Sequence, residues 1–418
     1  VFIHHSLAWR RPLEQVLIGR SMSRDTGVDV HSDTLSGKRV LVLVTGGIAA
    51  VESVRLTREL RRHQAELTVM MSNEATKIIT PLALAWASDV QVIYDWTPEM
   101  AQLEPHDIVL IAPATRNTIS KHIHGIIDSP LMMALSAARG RGGKMCFVPS
   151  MHQDLFDDPV TQDLLDDLRA EGVSVLVSSV EEGKRKQPDP VSIVAAVCHQ
   201  VNSNSSRSKR IAITLGANRA PIDAVRAIQN ASSGRTGWMI AEYLHRLGHE
   251  IICVAGKTSA HPSFSLPDVR RAGEPDEMLS CVLDLAQEDP SPEVWIHAAA
   301  VLDYFTESEV GKRASGEESW ELTLKPGRNH IAELSEHVKG AVRIGFKLET
   351  GVDVSTLIQR AKDQIDRSGV DAVVANLMEE MNEPDSLRAR IVHADSTIEE
   401  IEDGFQLCSA LRAIIDAV

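Results

Sequence analysis

Short, almost wholly apolar runs recur along this sequence, each followed by a turn and a stretch with apolar residues at helical spacing. Arg39–Val44 (RVLVLV), Leu67–Met71 (LTVMM), Ile108–Ala112 (IVLIA), Cys146–Val148 and Val173–Val177 form a first series. A strand that is apolar on both faces must be covered on both faces. The cover at hand is helical: after the first run, Ala49, Ser53, Leu56 and Leu60 recur on one face of a predicted helix. Alternating strands and helices predict βαβ units and a parallel sheet.

The segment Val201–Arg210 (VNSNSSRSKR) interrupts this pattern with Ser, Asn and basic residues, and reads as an exposed linker. The pattern then restarts. Arg210–Thr214, Ile251–Ala255, Val294–Ala298, Val342–Phe346 and Ala372–Ala375 are predicted strands, and Thr236–Leu247 a helix closed by Gly248. The expected class is α/β, with two doubly wound three-layer domains in series. The expected boundaries are a polar leader at 1–37, a first domain at 38–200, a linker at 201–209 and a second domain at 210–418.

The opening VFIHHSLAWRRPLEQV is broken by His and Arg and has no apolar core of a secretory signal. No run reaches the roughly 18 apolar residues of a spanning helix. Net charge is −15, from 43 basic and 58 acidic residues. That balance argues against a general binder of nucleic acid or anionic membrane, so any anionic ligand must be held by local groups. The five cysteines are scattered and never in a C-x-x-C pair. This excludes a disulfide scaffold or zinc ribbon and suggests a reducing, cytoplasmic setting.

In doubly wound sheets, ligands sit beyond the C-terminal ends of the strands, so the loops after the apolar runs carry the candidate chemistry. After the first run comes Thr45-Gly46-Gly47-Ile48-Ala49. Two glycines let backbone approach a ligand, and a helix N-terminus favours phosphate. It is not the G-x-G-x-x-G dinucleotide fingerprint, and a plain tight turn fits it equally well. Ser72 follows the second run, Thr115-Arg116-Asn117-Thr118 the third, and Pro149-Ser150-Met151-His152 the fourth. Each alone reads as a turn with an N-cap. Together they make an uncharged cradle suited to a flavin mononucleotide (FMN).

The segments TGGIAAVESVRLTRELRRHQAELTVMMSNEATKIITP, IAPATRNTISK and PSMHQDLF resemble one half of the bifunctional coenzyme A biosynthesis proteins. In that family a phosphopantothenoylcysteine decarboxylase is joined to a phosphopantothenate–cysteine ligase, and His152 and EEGKRKQPDP are similar to its archaeal form. The resemblance implies a flavodoxin-like domain with FMN held by Gly46, Gly47, Ile48, Ala49, Ser72, Thr115, Arg116 and Thr118. It implies flavin-dependent oxidation of the substrate's cysteine thiol to a thioaldehyde, which lets the adjacent carboxylate leave. Asn117 would orient that carboxylate, and His152 occupies a second motif position. Two positions depart from the family. Its catalytic His has its counterpart near Glu99, and the segment where it carries a clamping loop with Cys, Gly172–Pro190, has no Cys.

The second half is richer in motifs. Gly216 follows its first strand, and Ser232-Ser233-Gly234 precedes a helix, a setting that suits a triphosphate. Further on come HAAAVLDY with Ala299, Ala300 and Asp303, then Gly311-Lys312-Arg313, then GFKLET with Phe346. A lone loop lysine is ordinarily solvated surface. These segments, with PIDAVRAIQNASSGRTG, resemble the family's ligase half, with Arg328-Asn329 in place of its usual Pro-Lys. The resemblance implies a Rossmann-like domain in which the carboxylate of 4′-phosphopantothenate attacks CTP, giving an acyl-cytidylate, and the amine of L-cysteine then displaces CMP. Asn230 would hold the acyl phosphate and Lys312 would close over it. Ala299 and Ala300 would supply backbone contacts, and Asp303, Phe346 and Lys362 would contact nucleotide or Mg²⁺, with Asp303 the metal ligand.

Three functions compete on the sequence. The first is ligation followed by decarboxylation to 4′-phosphopantetheine. The second is a ligase whose first domain binds FMN without decarboxylating. The third is a non-catalytic flavin-binding regulator. CTP and ATP remain open as the nucleotide. The resemblance also implies a homo-oligomer of flavin-domain trimers and ligase-domain dimers.

Overall fold

The first apolar run forms the central strand of a sheet. β1 (Arg39–Val44) buries every residue from Val40 to Val44, as a strand covered on both faces must. A computed structural model describes residues 27–417 except Glu99, Ser179, Glu182, Gly183, Asn204, Ser205, Ser315, Glu317, Glu318, Asn382, Pro384 and Asp385. It divides into two compact units between Pro190 and Val191.

In the first unit, β2 (Glu66–Met71), β3 (Val92–Ile93), β4 (Ile108–Ala114), β5 (Met145–Pro149) and β6 (Ser174–Val175) join β1 in the order β3-β2-β1-β4-β5-β6. All pairings are parallel. Without the two-residue edge strand β3, the remaining five run in the flavodoxin-like order. Helices α1 (Ser53–Arg62), α2 (Pro81–Ser88), α3 (Arg116–Ile123), α4 (Pro130–Gly140) and α5 (Pro159–Ala170) are the crossovers. Leu131, Leu135, Leu164 and Leu168 of α4 and α5 pack with Val109, Ile111 and Phe147 of the sheet in one apolar core. The expected strand Val173–Val177 shrinks to two residues at the sheet edge.

Residues 1–26 of the expected leader lie outside the described residues. From His31 on, the leader is part of the fold. His31 N–H donates to Arg62 O (2.8 Å) and Leu35 N–H to His63 O (2.9 Å). The Ser32 hydroxyl bonds His63 Nδ1 (2.6 Å), and Leu35 is fully buried. Its polar residues serve a tertiary contact with the end of α1, which is why they read as solvent-facing.

The second unit opens at Val191, one residue into α6 (Pro190–Asn202), which reaches into the expected linker. Ala195 belongs to this unit's core and Val191 packs against it. The helix is tied to α7 (Arg235–Arg246) by Asn202 Nδ2 donating to Arg246 O (2.9 Å) and by His199 stacking on His245 at 4.2 Å. The compact first unit therefore ends at Pro190, ahead of the expected boundary at 200.

The second sheet comprises β7 (Arg210–Leu215), β8 (Glu250–Ala255), β9 (Asp268–Arg271), β10 (Val294–His297), β11 (Val342–Glu349), β12 (Ala372–Leu377), β13 (Ala389–His393) and β14 (Ile398–Ile401). Their order is β9-β8-β7-β10-β11-β12-β13-β14. The first six are parallel, a Rossmann-like arrangement, and β13 and β14 are antiparallel additions. α7, α8 (Pro275–Ala286), α9 (Val354–Ser368) and α10 (Gly404–Asp416) complete the layers.

Burial in this unit keeps several imidazoles neutral. It pushes His245 and His297 down to about 3 and His249 down to about 4. An unfolded His titrates near 6.5, so below that pH the unfolded chain binds more protons than the folded one. The melting temperature of the second unit is therefore expected to be flat above pH 7 and to fall steadily as pH drops from 6.5 toward 4. Titration of the melting temperature against pH checks this, and a flat profile down to pH 4 contradicts it.

Candidate active sites at the two switch points

In the first unit the chain order reverses between β1 and β4, which opens a crevice at their C-terminal ends. Thr45, just past β1, stitches the two loops there. Its hydroxyl donates to Pro113 O (2.7 Å) and accepts from Thr115 N–H (3.0 Å). A side chain at Gly46 would collide with Glu74, so the loop after β2 can lie against this turn only if position 46 is glycine. No side chain caps the short 3₁₀ helix that starts after Gly47, which leaves that N-terminus for a ligand.

Above these loops lies a cleft of about 980 Å³, lined by Gly47, Ile48 and Ala49, by Thr115, Arg116 and Asn117, by Ser150 to His152, and by Lys186 to Pro190. The structure thus brings together seven of the expected residues. Ser72 and Thr118 are not among the described lining residues. Ser72 Oγ accepts from Ala75 N–H (3.2 Å). Thr118 N–H donates to Thr115 Oγ1, the cap of α3 (3.3 Å). Both shape the loops from behind. Arg116 pairs with Asp158 at 2.7 Å, and hydrogen bonds from Val160 N–H and Arg116 hold Asp158 below the usual carboxylate range. Asn117 is exposed. His152 is also exposed, and its Nδ1 accepts from Asp154 N–H (3.3 Å). The same Nδ1 lies 3.2 Å from Asp154 Oδ2.

Three features escaped the sequence. Arg55 reaches Glu52 (3.3 Å) and Asp189 (3.6 Å), forming a charged rim on the cleft. Gln187 lines it. The segment expected to lack a clamp folds as a hairpin, Val180–Glu181 against Lys184–Arg185, that pairs with Met151–His152. Glu99, the position matched to the family's catalytic His, lies outside the described residues.

The cleft fits a flavin mononucleotide. It offers an uncapped N-terminus after Gly47 for a phosphate, a glycine pair for close backbone approach, and apolar walls from Ile48, Val51 and Leu155.

The second unit repeats the logic between β7 and β10. Ala300 N–H donates to Gly216 O (2.8 Å), and Asn218 N–H donates to Ala300 O (3.1 Å), so the loops after the two strands form one surface. Gly216 has φ +81°, and a Cβ there would lie 2.8 Å from Lys257 O. Ala299 N–H lies 3.4 Å from Thr214 Oγ1. Gly234 starts α7, Ser232 N–H donates to Asn230 O (3.0 Å), and Ser233 Oγ accepts from Arg235 N–H (3.3 Å).

Asn230 Nδ2 donates to both Ala300 O (3.1 Å) and Val301 O (3.0 Å). Both N–H donors are thus engaged, and the group left for a ligand is Oδ1. An acceptor suits an amine or hydroxyl, and not the phosphate oxygen expected of it.

Lys312 is exposed, but its loop is anchored. Ala224 N–H donates to Gly311 O (2.9 Å). The buried Asp223 carboxylate binds Arg226 Nη1 (2.6 Å) and Arg313 N–H (3.3 Å). Backbone hydrogen bonds from Arg226 and Val225 hold Asp223 below the usual carboxylate range. Trp320 lies within about 5 Å of both guanidinium groups, Arg226 (5.1 Å) and Arg313 (4.9 Å). These residues give PIDAVR its purpose as a latch, a role that sequence left unassigned. Arg328-Asn329 has a local explanation, because Asn329 caps the short helix His330–Ser335 and Arg328 pairs with Glu333.

Phe346 is half-buried on β11 and packs on the unit's core. Lys362 is half-buried on α9, with no hydrogen bond or ion pair among the described residues. Asp303 is exposed beyond β10. No cluster of three or more His, Cys, Asp or Glu side chains suited to a metal exists among the described residues.

Residues 29–202 match the Flavoprotein family, and residues 206–414 match the DNA/pantothenate metabolism flavoprotein C-terminal domain. The coenzyme A biosynthesis bifunctional protein of Thermococcus kodakarensis is 35% identical over 354 residues, 83% of this chain and 87% of that protein. Its counterpart in Methanocaldococcus jannaschii is 34% identical over 355 residues, 82% of this chain and 85% of that protein. The solved DNA/pantothenate metabolism flavoprotein from Streptococcus pneumoniae aligns with a TM-score of 0.44 at 22% identity, covering 50% of this chain and 99% of that one.

The stitch at Thr45 yields a prediction. Thr45→Val leaves Pro113 O and Thr115 N–H without their partner, which costs about 1–3 kcal/mol for buried groups. Denaturant unfolding of the first unit is expected to shift by that amount, with weaker FMN binding. Unchanged stability would mean that the hydroxyl does not hold the crevice.

Proposed function

The chain belongs to the bifunctional coenzyme A biosynthesis proteins, and on that premise we propose that its second unit makes the amide that its first unit then decarboxylates. The second unit joins 4′-phosphopantothenate to L-cysteine. The first unit removes the cysteine carboxylate to give 4′-phosphopantetheine. What supports the reading is that Gly47, Thr115, Asn117 and His152 line one cleft in the first unit, and that Gly216, Asn230 and Ala300 tie together the loops at the second unit's strand ends.

In the ligase step the pantothenate carboxylate attacks the α-phosphate of CTP and pyrophosphate leaves. The cysteine amine then attacks the acyl carbon and CMP leaves. Gly216, Ser232, Ser233, Gly234, Ala299 and Ala300 cradle the nucleotide through backbone and hydroxyl groups. Lys312, on its anchored loop, supplies charge to the phosphates, often the largest catalytic contribution. Asn230 Oδ1 accepts from the attacking amine. Asp303 would be a carboxylate for Mg²⁺ bound with the triphosphate, whose charge the ion would neutralise, and Phe346 and Lys362 would complete the nucleotide site. These local groups offset a chain charge of −15.

In the decarboxylase step the bound flavin supplies two-electron oxidation and reduction. The residues Gly46 to Ala49, Ser72, Thr115, Arg116 and Thr118 form or support its cradle. Asn117 orients the substrate carboxylate, and His152 presents its ring to the cleft. The exposed Ile48, Val51 and Leu155 at the rim fit burial against another copy of the chain, as in trimers of the flavin unit, with dimers through the ligase unit. Five free cysteines fit a reducing cytoplasm. No helix among the described residues is long and apolar enough to cross a membrane.

Paired variants test the division of labour. Lys312→Ala is expected to lower CMP release at least about 100-fold. It should leave decarboxylation of supplied phosphopantothenoylcysteine intact. Asn117→Ala is expected to do the reverse. If each variant lowers both activities together, the two-site reading fails.

A further inference from the structure

Trp320 stands in the acidic stretch GEESWELTL, outside any helix or strand. No amphipathic pattern accounts for a large aromatic side chain there. It is nevertheless half-buried, and its indole N–H is enclosed. The groups over its ring are charged. The Arg226 and Arg313 guanidiniums lie 5.1 and 4.9 Å from the ring centre. Two cations gathered at one place repel each other. The buried Asp223 carboxylate forms an ion pair with Arg226 (2.6 Å) and binds Arg313 through its backbone N–H (3.3 Å). The face of an indole carries negative charge density and attracts both guanidiniums, more strongly than any other aromatic side chain.

We infer that Trp320 is a positioning residue for Lys312, acting through the turn that carries it. This rests on the ligase reading of the second unit. Lys312 lies between two backbone anchors. Ala224 N–H donates to Gly311 O (2.9 Å), and Arg313 N–H donates to Asp223 Oδ2 (3.3 Å). These bonds fix the chain up to Arg313 and not beyond it. Seven residues on, Trp320 brings the chain back against the Arg313 side chain. The same ring covers Arg226, whose Nη2 donates to Arg313 O (3.3 Å). The turn bearing Lys312 is thus clasped from both sides. An ammonium on a clasped turn meets a phosphate at a lower ordering cost than one on a free loop.

The test follows CMP release by the full chain supplied with 4′-phosphopantothenate, L-cysteine, Mg²⁺ and CTP. Trp320→Leu keeps apolar surface and loses the ring. It is expected to lower kcat about tenfold, with the melting temperature and the KM for L-cysteine unchanged. Trp320→Phe keeps a ring face and is expected to stay within about threefold of the wild type. On a Lys312→Ala background, Trp320→Leu is expected to change nothing further, because residues that act through one another are not additive. Should Trp320→Leu melt lower, Arg313→Gln takes its place, since it keeps the backbone bond to Asp223 and removes the cation. It is expected to show the same loss and the same dependence on Lys312, and a wild-type rate would overturn the inference. A wild-type rate in a stably folded Trp320→Leu overturns it as well. So does an equal loss with Lys312 present or absent, or a Trp320→Phe as impaired as Trp320→Leu. A wild type that releases no CMP overturns the ligase reading, and this inference with it.

Discussion

A parallel sheet built from right-handed crossovers can open a crevice at its strand ends only where the direction of winding reverses. Both units obey this. The reversal falls between β1 and β4 in the first and between β7 and β10 in the second. At each reversal a small set of hydrogen bonds fixes the two loops to one another. In the first unit the Thr45 hydroxyl bridges Pro113 and Thr115. In the second, Ala300 and Gly216 pair backbone to backbone, and Asn230 crosses to Ala300 and Val301. Glycine is required where these loops meet a neighbour, at Gly46 against Glu74 and at Gly216 against Lys257. Everything chemical in either unit hangs from those stitched loops.

The two crevices meet the problem of anionic ligands on an acidic chain in different ways. The first uses an uncapped N-terminus, hydroxyls and amides, and its charged residues are already paired, Arg116 with Asp158 and Arg55 with Glu52 and Asp189. The second keeps Lys312 exposed while tying its loop to a buried carboxylate through Asp223, Arg226 and Arg313. A point charge on an anchored loop can meet a phosphate with little ordering cost.

The strands, their parallel arrangement and the loops that carry the sites were legible because a continuous apolar run has one economical use. RVLVLV and RIAIT could scarcely be anything but central strands. The two-residue β3 and the antiparallel β13 and β14 carried no comparable signal, and the run Val173–Val177 overstated β6, since pairing is decided by neighbours distant in sequence. The same holds for the buried polar groups. Ser32 and Thr34 read as leader but are buried, Ser32 bonded to His63 and Thr34 to Ser32, and Gln187 reads as surface but its amide is enclosed. Asn230 was found by motif, yet its free atom emerged only from the carbonyls that claim its donors. Sequence shows which side chains exist, while satisfaction of their hydrogen bonds is a tertiary property. The position matched to the family's catalytic His, Glu99, is where residue type and family pattern part most clearly.

The most direct measurement is a mass-resolved product assay on the unaltered protein, supplied with 4′-phosphopantothenate, L-cysteine, Mg²⁺ and CTP after its flavin spectrum is recorded. A flavin spectrum, release of CMP and pyrophosphate, and accumulation of 4′-phosphopantetheine with loss of CO₂ are the predicted result. Phosphopantothenoylcysteine accumulating with CMP, and no CO₂ released, would contradict a working first unit. Absence of CMP would contradict the nucleotide site built on Asn230 and Lys312.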